Sequence, residues 1–145
     1  MNLRPWKFED LSEIERLERE CFPSAPWNRR ALTDCFLSER FYGVLSEEGG
    51  KIAAYGGISW LLDEAEVLLI ATAELYRRCG RGQEILSALL AEAKRQGAKR
   101  VFLEVRVSNA PAQMLYLKNG FAGLYARARY YPDGEDAIVM KKELI

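Results

Sequence analysis

The segment Arg77-Arg78-Cys79-Gly80-Arg81-Gly82 brings three guanidinium groups and two glycines into six residues. It lies between a run of strand character ending near Ala73 and a run of helical character starting near Gln83. Glycine lets backbone amides approach an anion closely, and a helix N-terminus adds about half a positive charge at the same place. A pyrophosphate cradle is the chemistry that suits this spacing, although a solvated basic turn with a glycine cap has the same composition. No Lys-Ser/Thr pair follows the glycines and no GxGxxG is present, so neither a nucleoside triphosphatase nor a dinucleotide-dependent dehydrogenase is indicated.

The chain has no histidine, which excludes Ser-His-Asp and Cys-His sites and removes the commonest zinc ligand and general base. Acid-base chemistry must use Glu, Asp, Tyr, Cys or Lys. Glu104 belongs to a segment in which Val101, Leu103, Val105 and Val107 form one apolar face, so it projects from the other face with Phe102 and Arg106. A position just before the carboxyl end of a strand is where open α/β units hold ligands; a Glu-Arg pair on a solvated face is the plainer reading. Tyr116 shares a helical face with Ala112 and Asn119, a spacing equally suited to core packing. Asn109 is a natural N-cap for the helix carrying Tyr116. Cys79 sits among arginines beside a helix start and is read as incidental to the chemistry. Trp27, Tyr130 and Tyr131 can line an acceptor groove or pack in the core, and Glu135 and Asp136 can attract a cation or form a charged hairpin face.

The elements that must position these residues follow the hydrophobic pattern. Asn2 to Phe8 reads as a strand, and Asp10 with Glu13 resembles a capping box ahead of a helix presenting Leu11, Ile14, Leu17, Cys21 and Phe22. Pro23 and Pro26 end it, and a second helix runs from Asn28 to near Arg40. Phe41 to Glu47, Lys51 to Leu62 and Glu66 to Ala73 form a meander separated by the turn signals Glu48-Gly49-Gly50 and Asp63-Glu64. A helix from Gln83 to the Gly97 stop and a strand over Val101 to Val107 complete a βαβ unit, which predicts that strands 66–73 and 101–107 are parallel neighbours. Ala110 to Asn119 is a further helix, with Pro111 in its first turn, and two strands flank Pro132-Asp133-Gly134. The resulting order, β-α-α-β-β-β-α-β-α-β-β, describes an α+β sheet of mixed direction. A chain of 145 residues at this pattern predicts a single domain, 1–145.

Lys+Arg and Asp+Glu are both 21, so the overall positive field that drives nucleic-acid or anionic-membrane binding is missing. The charged start of the chain, Met1 to Asp10, is no signal peptide, and the apolar runs are too short to span a bilayer. A cytoplasmic location is expected, with Cys21, Cys35 and Cys79 as reduced thiols.

Together these segments resemble the GNAT superfamily of N-acetyltransferases. Arg-x-x-Gly-x-Gly at a strand-to-helix junction is similar to its acetyl-CoA loop, and Leu103-Glu104-Val105-Arg106-Val107-Ser108-Asn109-Ala110-Pro111-Ala112, Leu115-Tyr116 and Asn119-Gly120-Phe121 resemble the RimI-type members, the ribosomal-protein alanine N-acetyltransferases. Pro26-Trp27, Arg129-Tyr130-Tyr131-Pro132 and Glu135-Asp136-Ala137 resemble the same subgroup. The resemblance implies the GNAT fold, a mixed, mostly antiparallel sheet with a central parallel βαβ pair and flanking helices. It implies acetyl-CoA as donor, bound by the backbone of Ile70, Ala71 and Thr72, by the loop Arg77, Arg78, Cys79, Gly80, Arg81, Gly82 and Gln83, and by Asn109, with no metal. It further implies Glu104 as general base, Tyr116 as general acid, backbone amides at the oxyanion, and direct attack by a protein N-terminal α-amine, the family's suggestion for which is a small-subunit ribosomal protein. An α-amine suits a water-relaying carboxylate, because roughly a tenth of it is already neutral at pH 7 against under a thousandth of a lysine. A GNAT enzyme acting on a small amine shares all the coenzyme residues, and a non-catalytic CoA-binding module would carry Glu104 and Tyr116 as structural groups. Leu75 replaces the family's usual proline, and Arg81 replaces the usual aliphatic residue between the glycines, adding a cation at the loop.

Overall fold

The computed structural model describes residues 2–144. The expected order of elements is observed: β1 (Asn2–Pro5), α1 (Leu11–Cys21), α2 (Arg29–Leu37), β2 (Phe41–Glu48), β3 (Lys51–Leu61), β4 (Glu64–Thr72), α3 (Arg81–Arg95), β5 (Arg100–Arg106), α4 (Ala110–Lys118), β6 (Ala122–Arg127) and β7 (Ala137–Glu143). The strands form one seven-stranded sheet in the order β1-β2-β3-β4-β5-β7-β6. All neighbours are antiparallel except β4 and β5, which are parallel. No helix among the described residues is long and apolar enough to cross a membrane.

Successive side chains of a strand point to opposite faces, and the central strands use both. Val44 of β2 and Ala54 of β3 pack with Ile85, Leu86 and Leu89 of α3, whereas their neighbours Leu45 and Tyr55 pack with Leu11, Ile14 and Leu17 of α1 and Leu32 of α2. The seat of α3 on the sheet requires Gly56, where a Cβ would meet Ile85 Cγ2 at 2.6 Å.

Two irregularities in the centre shape the molecule. The register of β3 on β4 shifts between Gly57 and Ile58, whose partners are Leu69 and Val67, so Leu68 is an extra residue. A bulge of this kind reverses the alternation: Ala65 and Val67 belong to the α3 side, whereas Leu69 and Ala71 belong to the α1 side. The parallel ladder between β4 and β5 comprises only Glu64–Arg100, Ala65–Val101 and Glu66–Phe102. Beyond the bulge β4 diverges from β5, while β5 stays paired with β7 along its whole length.

The predicted capping box at Asp10 and Glu13 does not form. Asp10 instead closes the preceding turn, accepting from the backbone N–H of Lys7 at 2.6 Å and pairing with the Arg4 guanidinium at 2.8 Å. Glu13 accepts from the backbone N–H of Ile52 across the fold. Asp10 is taken by its own preceding turn and by Arg4, and Glu13 satisfies a backbone donor of β3, so neither side chain is left for the local cap.

Candidate active site

The divergence of β4 and β5 opens a cleft lined by residues 67–70 of one strand and 103–106 of the other, with Tyr116, Asn109, Trp27 and Tyr131 around it. It shares Ile70, Asn109, Ala112 and Tyr116 with a second cavity that runs over Ala71 and Thr72 to the glycine loop. On the opposite side it shares Leu103 and Glu104 with a groove bounded by the β3–β4 turn, Glu66, Tyr125, Arg127 and Tyr130.

At the loop end, α3 begins at Arg81, two residues earlier than its apolar periodicity suggests, so Arg81, Gly82 and Gln83 form its first turn. The N-cap is Gly80, in the left-handed conformation at φ 78°, and it offers no side-chain acceptor. The first backbone bond of the helix is from Glu84 N–H to the Gly80 carbonyl. The N–H groups of residues 81–83 therefore lack an intrahelical acceptor and face the cavity, the arrangement that holds an anion. A Cβ on Gly82 would enter the space between Leu115 and Thr72 without colliding with either, at 3.4 and 3.8 Å.

The side chains of the loop behave differently from one another. Arg78 has a positive φ of 65° and lines the cavity. The Arg77 guanidinium folds back on the Thr72 carbonyl, Nε to O 3.1 Å, so that carbonyl is already engaged, while Ile70 and Ala71 keep a β4 edge without a partner strand. Cys79 is exposed, and Gln83 exchanges two amide hydrogen bonds of 2.8 Å with Asn119 of the α4 C-cap.

Arg81 corrects the expectation of an added cation at the loop surface. Its side chain is buried, pairs with Glu48 of β2 and lies 5.2 Å from the Tyr76 ring centre. Only its backbone N–H remains on the cradle side. A long side chain at the first helical position can reach β2 because α3 crosses that strand, which local sequence does not encode.

At the other end of the cleft, Glu104 accepts from the Tyr130 hydroxyl on Oε1 at 2.9 Å and forms an ion pair with Arg127, Nε to Oε2 2.9 Å. The Glu-Arg pair is thus with Arg127 of β6 rather than Arg106, which binds Asp133 and Glu135 and stacks 4.0 Å from the Tyr131 ring centre. The Tyr130 hydroxyl titrates above its usual range, first because it donates to Glu104 and then by burial. Glu135 accepts from the Ser108 N–H and Arg106, and Asp136 accepts from the Arg129 N–H, so both order the hairpin. Tyr116 is 5% exposed, packed edge-on against Phe121. Burial pushes its hydroxyl well above the ordinary tyrosine value, so it stays protonated. No protein partner takes that hydroxyl among the described residues, and the ring lines the cleft. Tyr131, in the same wall, is pushed up to about 12, chiefly by burial. Asn109 caps α4 as expected, accepting from the Ala112 N–H at 3.2 Å.

Sequence reasoning missed Glu66 and Arg127. Glu66 opens onto the groove beside Glu104, and partial desolvation followed by the charge of Glu104 raises its pKa. No motif marks it, since its nearness to Glu104 depends on the parallel register of Glu66 on Phe102. Groups of three or more His, Cys, Asp or Glu able to hold a metal are absent among the described residues.

The acetyltransferase (GNAT) family model matches residues 9–121. The chain belongs to the GNAT family. It is therefore an acetyl-CoA-dependent N-acetyltransferase. The GNAT chain is 38% identical over 143 residues to the Escherichia coli strain K12 [ribosomal protein bS18]-alanine N-acetyltransferase, covering 90% of this chain and 96% of that one. A crystal structure of the ribosomal-protein-S18-alanine N-acetyltransferase from Escherichia coli superposes with a TM-score of 0.86 at 33% identity, covering 99% of this chain and 93% of that one. Ard1 from Thermoplasma volcanium superposes with a TM-score of 0.91 at 25% identity over 99% and 97% of the two chains. The GNAT fold expected from the sequence is present, with its parallel pair at β4 and β5.

Proposed function

We propose that this GNAT enzyme transfers the acetyl group to the α-amine at the N-terminus of a protein, with a small-subunit ribosomal protein beginning in alanine as the acceptor suggested by its relatives' names. The observation that carries the reading is the two-sided cleft. The glycine-loop cavity joins the cleft on one side, a groove of about 730 Å³ opens on the other, and Glu104 lines both the cleft and the groove. A groove of that size suits an extended peptide better than a small amine, which would leave most of it empty.

In this reading the pyrophosphate lies on the N–H groups of residues 81–83, with Arg78 beside it and Asn109 against the pantetheine arm, which lies along Ile70 and Ala71. Glu104 receives the proton of the amine through water, and the neutral nitrogen attacks the thioester carbonyl. Backbone amides near the Leu68 bulge, where β4 has left β5, suit the oxyanion. The new C–N bond forms, the C–S bond breaks, and the departing sulfur takes the Tyr116 proton. A thiol titrates near ~8.5 and an unperturbed phenol near ~10, and burial raises Tyr116 further, so full transfer stays uphill even once the C–S bond has broken. Tyr116 accordingly acts first as a hydrogen-bond donor to sulfur as charge develops. The cytoplasmic location expected from the sequence goes with this reading.

The test is mass spectrometry of the protein with acetyl-CoA and a peptide that starts in alanine and contains one internal lysine, beside the same peptide with a blocked N-terminus. One acetyl group on the free α-amine alone is expected. Equal modification of the blocked peptide, or of neither peptide, would refute the proposal.

A further inference from the structure

Glu18 of α1 is 1% exposed, yet it borders the cleft together with Phe22, Ala25 and Trp27. A carboxylate removed from water needs its lone pairs satisfied, and both oxygens are. Oε1 accepts from the backbone N–H of Trp27 at 3.0 Å, and Oε2 accepts from the Tyr55 hydroxyl at 2.6 Å. Tyr55 is fully buried on β3. One turn earlier on the same helix, Glu15 accepts from the backbone N–H of Arg29 at 2.9 Å. The segment between α1 and α2 contains Pro23 and Pro26 and belongs to no helix or strand. Its own backbone supplies one bond, from Ala25 N–H to the Phe22 carbonyl. This wall of the cleft is thus held by carboxylates of α1 rather than by a backbone ladder.

We propose that Glu18 is a specificity-determining positioning residue: by holding Trp27 it fixes the Phe22–Trp27 wall, and the fixed wall restricts the acceptor to a small first side chain. The proposal rests on N-terminal acetylation as the reaction. The cleft measures about 150 Å³ and must take the acetyl end of the donor together with the residue that carries the amine. On this proposal a methyl side chain is accepted beside Trp27, whereas a branched one needs the wall displaced. Glu18→Gln keeps the shape but replaces two charge-assisted hydrogen bonds with neutral ones, the amide oxygen accepting from Trp27 N–H and the NH₂ donating to the Tyr55 hydroxyl.

The experiment compares kcat and KM for two peptides that differ only in beginning with alanine or leucine, and measures acetyl-CoA affinity by calorimetry, for the wild type, Glu18→Gln and Tyr55→Phe. The wild type should prefer alanine. Glu18→Gln should narrow the alanine-to-leucine ratio of kcat/KM about tenfold, the scale of one charge-assisted hydrogen bond. The change should fall mainly in peptide KM, with coenzyme affinity held within about twofold, a shift far below one such bond. If Glu18→Gln does not fold, Tyr55→Phe weakens the same latch and must narrow the ratio in the same direction. An unchanged ratio, a parallel loss for both peptides and the coenzyme, or a wild type indifferent to the first residue overturns the role of Glu18 alone. A wild type that acetylates neither peptide overturns the N-terminal reading and this inference with it.

Discussion

Gly82→Ala separates the stability of the fold from the binding of the coenzyme. The new Cβ would lie 3.4 Å from Leu115 Cδ2 and 3.8 Å from Thr72 Oγ1, ordinary contact distances. Gly82 sits in the first turn of α3 and is not among the glycines of positive φ. Alanine therefore costs the folded chain nothing and narrows the unfolded ensemble, a gain of about 0.4–1 kcal/mol. For a domain of this size that raises Tm by roughly 1–4 °C. With the coenzyme held as proposed above, the same methyl group stands where a phosphate meets the N–H groups of residues 81–83. Losing one hydrogen bond to a charged group costs about 1.5–3 kcal/mol, so acetyl-CoA affinity should fall at least about tenfold. Gly80→Ala is the control of opposite sign, since Gly80 has φ 78° with open space around it and alanine there is strained. Calorimetric titration with acetyl-CoA and thermal melts of both variants provide the measurement. A Gly82→Ala protein that melts higher and binds acetyl-CoA as the wild type does would refute the cradle.

Tyr116→Phe retains the packing against Phe121 and should lower kcat about 10²–10⁴-fold, the usual range for a lost acid, with acetyl-CoA affinity little changed; single-turnover kinetics measure it. Glu48→Gln leaves the buried Arg81 guanidinium without its ion-pair partner. Because Glu48 is itself half exposed, the loss should stay below the ~3–5 kcal/mol of a fully buried pair, as denaturant melts would show. Asp10 titrates below its usual range because Arg4 donates to it. Its contribution is therefore fully present above the unfolded carboxyl value near ~3.9 and is lost as pH falls through the lower folded value. Melts of the wild type and Asp10→Asn should differ at neutral pH and converge in acid.

Elements whose cause is local were legible from residue type and spacing. The Asn109 cap with Pro111 behind it, the glycine loop ahead of α3, the period-3.6 face of α1 and the turns at Gly49-Gly50 all act within a few residues, and each forms as expected. The glycine-loop end of the cleft was readable for the same reason: a strand, a glycine turn and a helix start bring free N–H groups together without help from distant parts of the chain. The Glu104 end was not. Glu104 meets Arg127 and Tyr130 only because β7 inserts between β5 and β6 and brings the Arg127–Tyr130 segment alongside. Arg81 turns inward to a strand more than thirty residues away, and Glu18 finds Tyr55 across 37 residues. The bulge at Leu68 that parts β4 from β5 leaves no mark in a run of apolar residues. Short-range propensity therefore determined the elements and the free N–H groups at the start of α3, whereas strand register and burial, which depend on the whole sheet, decided which charged groups meet around Glu104.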